Sequence, residues 1–244
     1  YEEQIDRVYT QVDSMLGELV DRVSLMEEKW GEEIEIIVMS DHGFAPFRRK
    51  MHVNDWLVDE GYLVLKSGYD KTSSLGLAGE EVDWEQSRAY AVGFNGIILN
   101  RIGREPSGIV KESEVELLLE EIAGKLYNLK DGENKVFNNI KKATEVFNGP
   151  MLEYAPDLQL GFNVGYGASD ECATGAVTGE EVIVDNDSRW SGSHLMDPEL
   201  VRGVIFSVQG RKYLKDPTLE DLTATLYKMF AVSPPEDIDG EPLF

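Results

Sequence analysis

The 244 residues carry 46 acidic against 23 basic side chains, a formal charge of −23, with 42% hydrophobic content. That apolar fraction excludes a disordered chain, and the length suffices for a sizeable core. The acidity excludes a general duplex nucleic-acid or anionic-membrane surface, no apolar run approaches the ~20 residues of a membrane span, and the single cysteine, Cys172, excludes a disulfide framework or a Cys-rich zinc module. An anionic substrate held at a metal stays open, because a buried cation sets the local field.

The chain opens on Tyr1 with no charged, apolar leader before its first pattern, which reads as either a processed chain or a fragment and assigns no compartment. Ile5, Val8, Val12, Leu16, Leu19, Val23 and Met26 recur at steps of three and four, predicting a helix with one inward face that Gly31 ends. Ile36 to Met39 is a continuous apolar run, predicting a strand buried on both faces, and it ends at Ser40-Asp41-His42-Gly43. A polar loop with Arg48, Arg49 and Lys50 follows, then an amphipathic segment from Val53 to Asp59 stopped by Gly61, and a strand over Tyr62–Leu65. Residues 67–80, rich in Gly and Ser, read as a linker.

Beyond Ser87 the pattern changes. Short strands are expected at Ala89–Gly93 and Gly96–Asn100 around Phe94-Asn95. A helix follows, with a Ser113/Glu116 capping box and Val115, Leu118, Leu119, Ile122, Leu126 and Leu129 inward, then a helical or mixed segment from Lys135 to Phe147. The closing third alternates again, with strands at 157–162, 181–184 and 203–208, the last expected to be buried. Thr218 caps a final helix with Leu219, Leu222, Leu226, Met229 and Phe230 inward. The division expected is a core segment over 1–66, an inserted α+β cap or substrate lobe over 67–155, and a second core segment over 156–244, in an α/β fold.

The chain holds three histidines. Asp41-His42 stands at the carboxyl end of a strand, where ligands collect in open α/β sheets, and a carboxylate beside an imidazole suits a divalent cation. Gly43 is expected to let the backbone turn sharply there. His194 ends the loop Trp190-Ser191-Gly192-Ser193-His194 and reads either as a second ligand or as a solvent-facing loop residue. His52 has no second donor at ligand spacing and is left out. Contiguous Ser40, Asp41 and His42 cannot form a serine triad, because neighbouring side chains on an extended backbone diverge. Cys172 sits in an acidic stretch that does not activate a thiolate, and no phosphate-cradling glycine motif is present. Arg48, Arg49 and Lys50 read either as a phosphate clamp or as a solvated basic loop.

These segments, in order, resemble the type I phosphodiesterase and nucleotide pyrophosphatase branch of the alkaline phosphatase superfamily. The likeness rests on Ile36–Phe44 with its Ser-Asp-His-Gly, Val53–Leu57 with Gly61–Leu63, Gly103-Arg104-Glu105, Ala155–Leu158, Trp190–His194 and the tail Glu236–Leu243. The resemblance implies an α/β three-layer sandwich, here incomplete, with an inserted cap lobe, and two divalent metal ions, usually zinc. Asp41 and His42 would bind the ion beside the nucleophile, and His194 the other. It implies hydrolysis of phosphodiester or pyrophosphate bonds in small phosphate esters or nucleotides, through a Thr or Ser phospho-enzyme. Tyr90 and Asn95, in the lobe, read either as substrate contacts or as packing and turn residues.

The first Asp ligand, the nucleophile and an Asp-x-x-x-His pair of that family are expected before the first helix and are not among these residues. The chain is therefore expected to be a carboxy-terminal portion whose partner is the missing amino-terminal half, with weak zinc binding, no turnover alone and exposed apolar strand surface. A phosphomutase or sulfatase of the same superfamily, and a truncated non-catalytic interaction module, are the alternatives.

Overall fold

The structure is a computed structural model and describes residues 2–69, 75–76 and 81–244. The chain forms two compact units, Tyr1–Asp41 with Gly203–Phe244, and His42–Arg202. The sequence boundaries at 66 and 155 both fall inside the second unit. The fold is mixed α/β with several small sheets, and among the described residues no single wide parallel sheet forms.

In the first unit the opening pattern is a helix over Glu2–Trp30. Its expected inward face is largely in solvent: Val23 is buried, whereas Ile5 is 60% exposed and Val8, Val12 and Leu19 are exposed too. The strand Ile37–Met39 pairs antiparallel with Ile205–Ser207 as a two-stranded sheet. Neither is buried on both faces as expected, since Met39 and Phe206 are exposed. The final helix, Leu219–Met229, begins at Thr218, whose N–H donates to the Asp221 carboxylate at 2.9 Å. Its buried face is Asp221, Ala224 and Thr225 rather than the expected leucines, because the tail folds onto that side: Glu241 N–H donates to Asp221 and Leu243 N–H to Thr225 Oγ1.

The second unit holds the hydrophobic core. Strands Ala89–Ala91, Gly96–Leu99, Leu158–Phe162 and Phe137–Lys142 form an antiparallel sheet in that order. Helix Glu112–Tyr127 turns Leu118, Leu119, Ile122 and Leu126 into the core. Its start lies earlier than the Ser113/Glu116 box: Lys111 N–H donates to Glu114, so Glu114 satisfies the free helix end. The segment expected from Lys135 is the strand Phe137–Lys142 followed by the single helical turn Ala143–Val146.

Two expectations before residue 80 change. Tyr62 and Leu63 do not extend a strand; both N–H groups bond the Leu57 carbonyl, closing the helix Val53–Asp59 with Gly61 at positive φ. Tyr62 and Leu63 are buried in the hydrophobic core, and further along the run Leu65 makes an isolated antiparallel bridge with Val82. The basic stretch is not a loop either. Ala45–Met51 is a strand, paired parallel with Gly165–Ala168 and antiparallel with Ile183–Asp185 and Gly192–Ser193. Its charges are accommodated sideways, Arg49 donating to Asp185 and Asp131 and Lys50 pairing with Asp187. Of the expected linker, residues 70–74 and 77–80 lie outside the described residues, and Leu75–Gly76 pairs with Ala176–Val177.

Candidate metal-ligand site

The strand Ala45–Met51 builds the site. Gly192–Ser193 pairs with Pro46 and Ala45, and Phe47 N–H donates to the Ser191 carbonyl at 2.8 Å. This register sets the residue after Ser193 beside the start of the strand, next to His42. The approach needs glycine at 192, because a Cβ there would lie 2.3 Å from the Phe44 ring. The Asn186 amide donates to the Phe47 and Trp190 carbonyls and ties the rest of the loop to the strand.

The result is a stack of imidazoles. The His42 and His194 rings lie 3.8 Å apart between centroids and 12° from parallel, with the Phe44 ring 6.3 Å from His194. His42 Nδ1 sits 2.7 Å from the Gly43 carbonyl. A carbonyl only accepts, so Nδ1 carries the proton and the lone pair of the neutral ring is on Nε2. The backbone bends at Asp41, and Gly43 is not among the glycines at positive φ, so no left-handed turn calls for glycine there. Its absent side chain serves close approach instead: a Cβ would lie 2.6 Å from the Arg202 carbonyl, and Gly43 N–H donates to Val201. Asp41 directly precedes His42 in the chain, is exposed, and ends the amino-terminal stretch of the first compact unit.

Among the described residues no group of three or more His, Cys, Asp or Glu converges as a metal site. The donor set present is nonetheless of the right chemistry, a stacked imidazole pair with an Asp adjoining in sequence.

Tyr90 lies elsewhere, on the wall of a cavity of about 370 Å³ with Trp84, Val92, Asn100, Glu105 and Pro106, which neither histidine lines. It meets Trp84 edge to face at 5.3 Å. Burial, and then the Glu105 carboxylate, push its hydroxyl up to about 12, so it is a proton donor throughout the physiological range. Asn95 donates through Nδ2 to the Leu160 and Leu195 carbonyls at 2.8 and 3.4 Å, so its amide hydrogens are committed to backbone. His52 is buried in structure, its Nδ1 2.9 Å from Ser169 Oγ and its Nε2 3.3 Å from Glu180. Cys172 is buried beside it, and burial pushes its thiol up to about 12.

The other residues that carry the resemblance are framework. Asn54 brackets Ala91 by donating to its carbonyl and accepting its N–H, and Asp55 accepts the N–H groups of Thr178 and Gly179. Arg104 forks onto Asp157, which also accepts from Leu99 N–H. Phe44 and Gly192 stand in the segments that carry the resemblance, but their close approach was not legible there, because Phe44 immediately precedes the strand Ala45–Met51, which the basic residues disguised.

Fold and imidazole pair together describe an α/β protein with nitrogen donors at a strand end. The family model for type I phosphodiesterase / nucleotide pyrophosphatase matches residues 1–171, and the chain belongs to that hydrolase family. The matched span contains Asp41, His42, Tyr90 and Asn95, and His194 lies beyond it. No curated protein and no solved structure gives a significant match.

Proposed function

We propose that the chain serves metal-dependent hydrolysis of phosphodiester or pyrophosphate bonds, with Asp41 and His42 on one divalent ion and His194 on a second. The observation that carries this is the parallel stack of two imidazoles from distant parts of the chain. An ion held in the plane of one ring lies well out of the plane of the ring stacked on it, so parallel stacked imidazoles suit separate ions better than a shared one. Their 3.8 Å spacing matches the roughly 3.5–4 Å between ions in two-metal centres. Carboxylate and imidazole donors favour zinc, and the Gly43 carbonyl, by holding Nδ1–H, orients Nε2 of His42 as the ligand atom.

When bound, such ions stabilise attacking and leaving oxygens and lower the pKa of water. The residues here do the holding. Asp41 neutralises charge, the two imidazoles set the spacing, and Tyr90 contacts the substrate through its aromatic cavity with a hydroxyl that stays protonated. Three donors fall short of two four-coordinate sites, so we place the remaining ligands and the Ser or Thr that would form a phospho-enzyme outside these 244 residues. The same reading completes the superfamily sandwich there and keeps the region around Tyr90 as the cap.

The product of the full gene, assayed on bis(p-nitrophenyl) phosphate, p-nitrophenyl phosphate and p-nitrophenyl sulfate, tests this. Zinc-dependent preference for the diester is expected, falling on the order of 100-fold or more in His42→Ala and in His194→Ala. The 244-residue chain alone is expected to show no turnover. Diester hydrolysis that survives both substitutions overturns the reading, and preference for the sulfate ester moves the activity to a sulfatase.

A further inference from the structure

His194 is exposed, on a loop just beyond a two-residue strand, and an exposed loop histidine does not hold a fixed ring plane unaided. Upstream, the Gly192–Ser193 pairing fixes the backbone, and Ser193 Oγ accepts Leu195 N–H at 3.0 Å. Downstream the loop is fastened to the strand Leu158–Phe162. Asp197 N–H donates to the Phe162 carbonyl at 2.9 Å, and Asn95 reaches both the Leu160 and the Leu195 carbonyls. Asn95 is itself fixed there, because its own carbonyl accepts Leu160 N–H at 2.8 Å.

Asp197 is the stronger of the two anchors. It is fully buried, and burying a carboxylate is costly unless donors surround it. Glu199 N–H donates to Oδ1 at 2.9 Å, and the side-chain amides of Asn138 and Asn139 both donate to Oδ2. Such charge-assisted bonds are stronger than neutral ones and directional. A buried carboxylate that gathers two asparagines from strand Phe137–Lys142 and the backbone after the loop holds a position rather than reacts.

We propose that Asp197, seconded by Asn95, is a positioning residue that sets the His194 ring over His42. This rests on the two-ion reading above only for its purpose; the placement of the ring is independent of it. Asn95 accordingly acts on the site through the loop and not by touching substrate.

Proton NMR of the imidazole Hδ2 and Hε1 signals in the metal-free 244-residue chain tests the placement, alongside zinc titration. In the wild type the two rings shift one another's signals; in Asn95→Ala and Asp197→Asn both sets are expected to move toward free-histidine positions while the core methyl signals stay put. Zinc affinity is expected to fall roughly 10-fold or more with Asp197→Asn, as for other groups that orient metal ligands, and by less with Asn95→Ala. Asn95→Ser, which keeps a donor, is expected to recover part of the shift. Should Asp197→Asn fail to fold, Asn95→Ala decides. Folded variants whose imidazole signals match the wild type overturn the proposal. A wild type that binds no zinc, with signals that still move in the variants, sinks the metal reading and leaves the positioning role standing.

Discussion

In the unit of residues 42–202, the helix Glu112–Tyr127 sets Leu118, Leu119, Ile122 and Leu126 against a four-stranded sheet and buries all four. In the unit of 1–41 with 203–244, the longer helix Glu2–Trp30 carries as regular an apolar stripe and buries Val23 alone among its large apolar residues. The two helices obey the same 3.6-residue rule. What differs is what lies against each helix within its unit: Glu112–Tyr127 packs on the strand Phe137–Lys142, whereas among the described residues Glu2–Trp30 has no extensive contact with another element of its own unit. Periodicity identifies the apolar face of a helix, but burial, and the free energy that follows from it, depends on what lies against that face.

The contrast can be broken most forcefully by truncation in each unit. Phe137 is fully buried and packs on Phe162 at 4.7 Å, so Phe137→Ala is expected to lower stability by about 3–5 kcal/mol, measured by urea unfolding. Ile5→Ala, on the exposed stripe, is expected to stay within about 0.5 kcal/mol. Similar losses for both would erase the distinction.

A smaller effect is expected where the first unit does have a buried anchor. Burial alone would raise the Asp221 carboxyl, but Lys215 and the N–H groups of Glu241 and Thr218 outweigh it and hold it well below the usual range. Asp221→Ala is expected to cost about 2 kcal/mol and to release the tail, read as faster hydrogen exchange at Glu241 and Leu243. Because the folded carboxyl is the stronger acid, its contribution is present above the ordinary value of 3.8 and is lost as pH falls below it.

Two chemical probes sharpen the picture of the larger unit. Cys172, buried with its thiol at about 12, is expected to resist iodoacetamide at pH 8 until the chain is unfolded. Tyr90 holds its proton more tightly folded, at about 12 against 10.0, so its contribution is complete below pH 10 and declines as pH climbs toward 12. The Tyr90→Phe variant is expected to lose that part of the alkaline decline, the smallest effect of the series.

Much of the larger unit was legible in the sequence. Strands Ala89–Ala91 and Gly96–Leu99, helix Val53–Asp59 and strand Leu158–Phe162 fall where alternation and apolar runs placed them. The strand that matters most to the site was not legible. Ala45–Met51 carries three consecutive basic residues, and its charges are tolerated because Asp131, Asp185 and Asp187 come from distant parts of the chain to meet Arg49 and Lys50. Local pattern cannot show such partners. The final helix misled for a related reason, since a tail returning from residues 241–243 selects Asp221 and Thr225 as its covered face over the more apolar leucines. The histidines were legible singly. That their rings meet depends on the register between Gly192–Ser193 and Pro46–Ala45, which no spacing encodes.

Zinc titration of the 244-residue chain by calorimetry at neutral pH, repeated on His42→Ala and His194→Ala, addresses the metal-ligand role most directly. Weak binding is expected in the wild type, with a dissociation constant in the micromolar range or above, since the sites are short of ligands, and it should weaken by roughly 10-fold or more in either variant. Zinc binding of undiminished affinity in both variants would contradict the assignment of the stacked imidazoles as ligands.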